Sequence, residues 1–439
     1  MASEAAGRRR FPRWARYQLR KEAVGVVLRG VPWIFRDHLS SAAEVFGDGQ
    51  GLRLVDGANR VLGHGVYEAH GAIAIRVLRT GAVPPDAAWL AAQVDAALAR
   101  RAALRGETDA FRALHGEADG VPAVVVDVFG SSVVVQSYSA GADALARLAG
   151  RMVAARLGQG AGGDDAAPAT SIRIAWKPAQ RRQGAPSAAR WLRGAPAGLP
   201  GERPEVASSA EPAKGEVAPA GAAQVAGELV RFREGELTLC CEVLGGQKSG
   251  AYLDLRGLRR AVAAMPLAGE RVLNLFSYSG MLGRAAEHAG ASEVWQVDAS
   301  EAALALAAQH HMADPSRFRS VVADVFDWLP KLSADERFGL VIVDPPSMTS
   351  RRAQVPQALA AYRRLYRAAA RHVAPGGTLV AACCTSRITR PELRQVVAEA
   401  LGGDFVITRE LPPEPDHPVT FAEADYLKVM LWRRRPAAS

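Results

Sequence analysis

Three short apolar runs, each closed by a small-residue turn or a carboxylate, constrain most of what residues 246–439 can fold into. Val272–Phe276 is largely apolar without alternation, which suits a strand buried on both faces, and Ser277–Gly280 breaks it before a helical pattern begins near Leu282. Val294–Val297 repeats the pattern and ends in Asp298; Leu340–Val343 repeats it again and ends in Asp344-Pro345-Pro346-Ser347. Parallel strands of this kind set their carboxyl ends along one crevice, and a carboxylate placed as Asp298 is can accept hydrogen bonds from both ribose hydroxyls of a nucleoside. A dinucleotide pyrophosphate would need a three-glycine turn, whereas FSYSGMLG supplies Gly280 and Gly283. The turn therefore fits a nucleoside ligand that carries no pyrophosphate.

Two further strand ends carry chemistry. The prolines after Asp344 force an extended exit that holds its carboxylate at the crevice, where it can bond the N3 and amine edge of a pyrimidine or the amine of a purine. Thr378–Cys384 follows Gly376-Gly377 as another strand. Because side chains alternate along a strand, Cys383 and Cys384 must face opposite sides, and only one of them can reach the crevice.

The chain's formal charge of +9 and pI near 9.7 favour an acidic partner, and basic residues cluster at Arg8, Arg9, Arg10, Arg13, Arg16, Arg20 and Lys21 and again at Arg433–Arg435. Nucleic acid is the natural candidate. No apolar stretch approaches the roughly twenty residues a membrane helix needs, so no membrane partner is expected. The four cysteines form two adjacent pairs, Cys240-Cys241 and Cys383-Cys384, which is neither a zinc spacing nor a disulfide framework. Reduced thiols, no metal and a cytoplasmic setting are the expectation.

Along the chain, residues 1–13 read as a basic tail. Residues 14–84 show short β segments, with Asp56-Gly57 and Asn59 marking a hairpin turn, and should form a small β-barrel. A helix follows over Pro85–Leu104, with Leu90, Val94, Leu98 and Ala102 near helical spacing. Together with the strands around Phe129-Gly130 it opens a compact α+β region over 85–245. Within that region Pro178–Ala226 is rich in Ala, Pro and Gly and reads as a flexible insertion. Residues 246–439 alternate strand and helix, so a doubly wound parallel sheet is expected there and the fold class is α/β.

The segments GQKSGAYLDLRGLR, VLNLFSYSG, VDAS, ADVFDWL, DPPS, GGTLVAACCTS and DHPVTFAEADYLK together resemble the bacterial 23S ribosomal RNA cytosine-C5 methyltransferases. LRGVPWIF resembles the opening of that family's PUA domain, and HGEADGVPAVVVDVFG its central EEHEE domain. The resemblance implies a PUA-like domain, an EEHEE domain and a Rossmann-like catalytic domain using S-adenosyl-L-methionine on 23S rRNA or a large-subunit assembly intermediate. It leaves a homodimer open.

Carried over position by position, the resemblance places Phe276, Ser277 and Gly280 in the cofactor turn, Asp298 on the ribose and Asp324 beside adenine. Lys248, Ser249 and Tyr252 match a motif expected near the cofactor or target base. Cys384 falls where the family has its nucleophile, and Asp344 matches its DPP motif. Two other readings stay in play. One is methylation of an exocyclic amine or guanine nitrogen, for which Ser347 stands where an aromatic would stack. The other is a ribosome assembly factor without catalysis.

Overall fold

The computed structural model describes residues 14–40, 45–159, 172–178, 189–194, 229–421 and 424–436. The chain divides into two compact units: Met1–Ala102 with Phe111–Val230 and Cys241–Ala251, and Ala103–Ala110 with Arg231–Cys240 and Tyr252–Ser439. No helix among the described residues is long and apolar enough to cross a membrane.

The first unit opens with strands β1 (Ala15–Gln18), β2 (Trp33–Phe35), β3 (Gly51–Val55), β4 (Val61–Tyr67) and β5 (Ile73–Thr80), in the order β1-β3-β4-β5-β2. Tyr17, Leu52, Leu54 and Ile75 point inward and pack with Val26 and Val27 of the helix Lys21–Leu28. The expected turn between β3 and β4 forms because the Asp56 carboxylate accepts the Ala58 and Arg60 amides at 3.0 and 2.9 Å, with Asn59 left-handed at φ 65°. The expected helix spans Ala87–Arg100 and buries Leu90, Val94 and Ala97; Leu98 is half-buried and Ala102 lies past its end, exposed.

A second sheet, β10-β9-β8-β7-β6, is made of β6 (Ala110–His115), β7 (Val124–Phe129), β8 (Ser132–Ser137), β9 (Arg173–Trp176) and β10 (Arg190–Arg193). Strand β10 corrects the reading of Pro178–Ala226 as insertion throughout. Its RWLR segment closes the edge of β9, and Arg173 covers the Trp191 ring at 4.7 Å. Residues 179–188 and 195–226 of that segment lie outside the described residues.

The second unit carries residues 231–240 of a hairpin, β11 (Leu229–Glu234) with β12 (Leu237–Glu242), and a seven-stranded sheet. Its strands are β13 (Arg271–Leu275), β14 (Glu293–Asp298), β15 (Phe318–Val322), β16 (Phe338–Val343), β17 (Val373–Cys383), β18 (Phe405–Leu411) and β19 (Lys428–Arg434), in the order β15-β14-β13-β16-β17-β19-β18. The first five are parallel, but β19 runs antiparallel to both β17 and β18, so the sheet is mixed rather than wholly parallel. Leu273, Val341, Leu379, Cys383 and Met430 pack on one face against Tyr362, Tyr366, Val396 and Val397 of the helices Val355–Ala370 and Arg390–Leu401. Strand order reverses at β13, between β14 and β16. That reversal opens a crevice beyond the strands' carboxyl ends.

Candidate active site

Strand β13 stops one residue earlier than expected, because Phe276 leaves the β region. Phe276, Tyr278 and Gly280 take φ of 59°, 46° and 75°, so two bulky residues sit left-handed within five positions. Each such residue costs about 1–3 kcal/mol and persists where its surroundings over-determine it. Those surroundings are visible: the Ser277 amide donates to Val297 O at 3.1 Å, the Tyr278 amide to Asp298 Oδ2 at 2.7 Å and the Gly280 amide to Ser277 O at 2.9 Å. From below, the buried Gln296 side chain donates to Gly280 O at 3.2 Å and accepts from Asn274 at 2.7 Å. His311 ties the turn to β12, its Nδ1 donating to Ser279 O at 2.5 Å and its Nε2 accepting from the Cys240 amide at 3.0 Å. Burial pushes the His311 pKa down, which keeps the ring in this neutral form.

This turn has the properties of a nucleoside cradle. The Ser277 hydroxyl is buried with no hydrogen-bond partner. Asp298 is half-buried and uses one lone pair of each oxygen on the Tyr278 and Ser300 amides, at 2.7 and 2.8 Å, which leaves acceptor capacity for ribose hydroxyls. Asp324 is exposed and caps the short helix Val325–Trp328 through the Phe326 amide at 2.8 Å. Phe326 itself is 42% exposed, with its ring 5.4 Å from that of Phe276. A free hydroxyl, two carboxylates and an apolar wall fit a cationic adenosine derivative such as S-adenosylmethionine: acceptors for ribose and amine, and a surface for the base.

Beside this cradle the parallel register sets Val343 opposite Ala381, so the Asp344-Pro345-Pro346 exit lies next to the end of β17. Alternation separates the two thiols as required. Cys383 is fully buried in the core among Tyr362 and Tyr366, whereas Cys384 is half-buried and its Sγ lies 3.6 Å from Pro345 O. The peptide around Cys384 is held on both sides. Tyr366 donates to Ala382 O at 2.6 Å, and the buried Lys428 ammonium donates to Thr385 O at 2.8 Å. The Thr385 hydroxyl accepts from the Met348 amide at 3.1 Å and meets the Tyr362 hydroxyl at 2.8 Å, joining the end of β17 to the loop after the prolines.

Tyr252 links the cofactor turn to the thiol. Its ring packs edge-on against Tyr278 at 5.5 Å, and its pKa is raised by burial first and then by the nearby charges of Tyr278, Asp344, Asp254 and Cys384. The phenol therefore stays protonated in the field of Asp344 and Asp254. Phe276, Ser277, Gly280, Asp298, Asp324, Tyr252, Asp344 and Cys384 thus all belong to the second unit, at or beside these strand ends. Lys248 and Ser249 belong to the first unit, where Ser249 is buried and its hydroxyl donates to Asp127, itself gripped by Arg112 at 2.8 and 3.0 Å. Sequence reading missed Tyr278, Phe326, His311, Thr385 and Lys428. Of these, only Phe326, an aromatic two residues after a strand-end aspartate, carried a local signal.

Residues 222–433 match the family model described as S-adenosylmethionine-dependent methyltransferase, and residues 18–80 match a PUA-like domain. The chain is 34% identical over 431 residues to a ribosomal RNA large subunit methyltransferase of Deinococcus radiodurans, covering 94% of this chain and 96% of that one. It is 29% identical over 432 residues to ribosomal RNA large subunit methyltransferase I of Klebsiella pneumoniae, covering 95% and 97%. Two solved structures share the fold at 19% identity, each covering 95% of this chain and 100% of its own. One is a methyltransferase complexed with SAH, at a TM-score of 0.73, and the other a SAM-dependent methyltransferase from Streptococcus mutans, at 0.72.

Proposed function

Since the chain belongs to the S-adenosylmethionine-dependent ribosomal RNA large subunit methyltransferases, we propose that it methylates C5 of a cytosine in large-subunit ribosomal RNA, with Cys384 as nucleophile. The observation that carries this reading is the split of the thiol pair: Cys383 is sealed in the core, while Cys384 stands beside the backbone of the Asp-Pro-Pro exit.

S-adenosylmethionine, when bound, supplies an electrophilic methyl group; Ser277, Asp298, Asp324 and the Phe276–Phe326 wall would hold its adenosine. Cytosine C5 is by itself a weak nucleophile, so the protein's part is to enrich it. The Cys384 thiolate adds to C6, forming a carbon–sulfur bond and moving the ring's electron pair toward C5 and N3. Asp344, held at its strand end by the prolines, stabilises the proton at N3 as that density builds, and the protonated Tyr252 offers a further donor. Once C5 carries the methyl group, its remaining proton passes to solvent water, and the electron pair of that C–H bond re-forms the C5–C6 double bond as the carbon–sulfur bond breaks and the thiolate is regenerated. The clamp on Ala382 and Thr385 keeps the sulfur where addition requires it.

Ribosomal RNA incubated with methyl-labelled cofactor and digested to nucleosides should yield 5-methylcytidine by mass spectrometry. Cys384→Ala should abolish it and Cys383→Ala should retain it. Full activity in Cys384→Ala, or methylguanosine or methyladenosine as the product, would overturn the assignment. Comparing deproteinised RNA with large-subunit precursor particles in the same assay identifies which is the substrate.

A further inference from the structure

Lys428 carries a charge that the mechanism leaves unused. It opens β19 in register with Cys383, the last residue of β17, and its side chain is fully buried. Its nitrogen donates to three backbone carbonyls: Thr385 O at 2.8 Å, Tyr426 O at 3.0 Å and Asp425 O at 3.5 Å. Three acceptors around one nitrogen suit an ammonium, which has three N–H groups to give. Among the described residues none of its hydrogen-bond partners is a carboxylate. The Asp425 carboxylate is taken by Arg390, at 2.9 Å to each oxygen, and Glu392 accepts from the Thr389 amide and hydroxyl at 2.8 Å each.

An ammonium buried without an ion pair costs free energy, and a methionine of similar length would fill the same space without that cost. The cost shows in the lysine itself. Burial lowers its pKa, Arg390 lowers it further, and Cys383, Asp425 and Cys384 act in the opposite direction. The fold keeps a positive charge where packing does not require one.

The groups on the other side of this charge are acids. Cys384 must add to C6 as a thiolate, yet it shares its surroundings with Asp344, and a carboxylate disfavours a second anion nearby. Tyr252, Tyr362 and Tyr366 have their pKa values raised, by burial first, so these phenols stay neutral and supply no counter-charge. Arg352 and Arg387 are exposed, where water and salt screen them. Arg390 is committed to Asp425. Lys428 is left as the cation that solvent does not screen, fixed by Thr385 O to the peptide that follows Cys384. Of the two thiols only Cys384 is half-buried, so its proton has a route to solvent.

We propose that Lys428 is the buried counter-charge that lets Cys384 stand as a thiolate, a positioning residue that acts through the sulfur and touches neither RNA nor cofactor. Naming that thiolate as the nucleophile rests on the cytosine-C5 reading above; the counter-charge rests on the arrangement around Lys428.

The test is the pH profile of iodoacetamide alkylation at residue 384, followed by mass spectrometry of its peptide. The parent is the full chain carrying Cys383→Ala, without RNA or cofactor. Its alkylation midpoint should lie below the ordinary thiol value of about 8.5. Lys428→Met and Lys428→Gln should raise that midpoint by about one unit or more, slowing alkylation at neutral pH about tenfold. Lys428→Arg keeps the charge and should hold the midpoint near the parent's. Arg363→Gln, which removes an exposed arginine paired with Glu399, should not move it. A lysine that only clamps the strand ends would change the thermal midpoint and leave the alkylation midpoint in place in both neutral variants, and that result overturns the proposal. An equal rise in Arg363→Gln overturns it too. So does a parent midpoint at or above about 8.5, a measurement that stands even where the neutral variants do not fold. Full methylation activity in Cys384→Ala with a low parent midpoint would fail the catalytic reading alone. Lost activity there with an ordinary parent midpoint would fail the counter-charge alone.

Discussion

Replacing Gly283 with alanine probes the support under the cofactor turn. The added Cβ would sit 2.0 Å from Gln296 Nε2 and 2.7 Å from its Cδ, closer than a methyl carbon can approach atoms it is not bonded to. Gln296 is fully buried and cannot yield freely, because its amide bridges Asn274 on β13 to Gly280 O in the turn. Either the helix Met281–His288 lifts from the sheet, an overpacking cost of about 1–3 kcal/mol, or Gln296 swings away and strands two buried polar groups at about 1–3 kcal/mol each. The smaller route sets the loss at about 1–3 kcal/mol. For a unit of this size that lowers the thermal midpoint by about 2–12 °C. The transition to follow is the one that S-adenosylhomocysteine raises, and its calorimetric Kd should weaken in parallel, since Gly280 belongs to the turn. Gln296→Ala alone loses the bridge. Gly283→Ala/Gln296→Ala loses the bridge but not the clash, so it should cost less than the sum of the single variants by about 1–3 kcal/mol. Additivity within about 0.5 kcal/mol would refute the reasoning, because it would mean that Gln296 does not feel position 283.

Two further outcomes follow from the same region. Asp298→Ala removes charge-assisted bonds to the ribose, together worth at least one such bond at about 1.5–3 kcal/mol, so the Kd for S-adenosylhomocysteine should rise by roughly 10-fold or more in calorimetry; an unchanged Kd would remove Asp298 from the ribose site. Because burial lowers the His311 pKa from the ordinary 6.5, the unfolded chain binds its proton before the folded chain does as pH falls. The stability this neutral histidine contributes is therefore present above about pH 6.5 and declines below it. The midpoint of the ligand-responsive transition should fall more steeply between about pH 7.5 and 5.5 in the wild type than in His311→Gln, and parallel curves would contradict the assignment.

What could be read from the chain, and what could not, divides by the range of the interaction. The Asp56–Arg60 turn, the strand runs ending in Asp298 and Asp344 and the opposite facing of Cys383 and Cys384 depend on neighbours a few residues apart, and the pattern of residues specifies them. The reversal of β19 does not. Its run resembles the parallel strands, and its direction comes from pairing with both β17 and β18. Strand β10 escaped because RWLR is too short to show a period amid Ala, Pro and Gly, and acquires its structure only by covering β9. The turn after β13 misled for the opposite reason. Phe276 and Tyr278 favour extended backbone locally, and Asp298, twenty-two residues past Phe276, imposes the left-handed conformation by accepting the Tyr278 amide. Ser249 likewise lies near Tyr252 in sequence, yet it belongs to the first unit, where its hydroxyl is committed to Asp127. Residues that do chemistry by their own type were thus visible beforehand, whereas those that act by holding a loop, a ring or a charge in place became identifiable only once their distant partners were known.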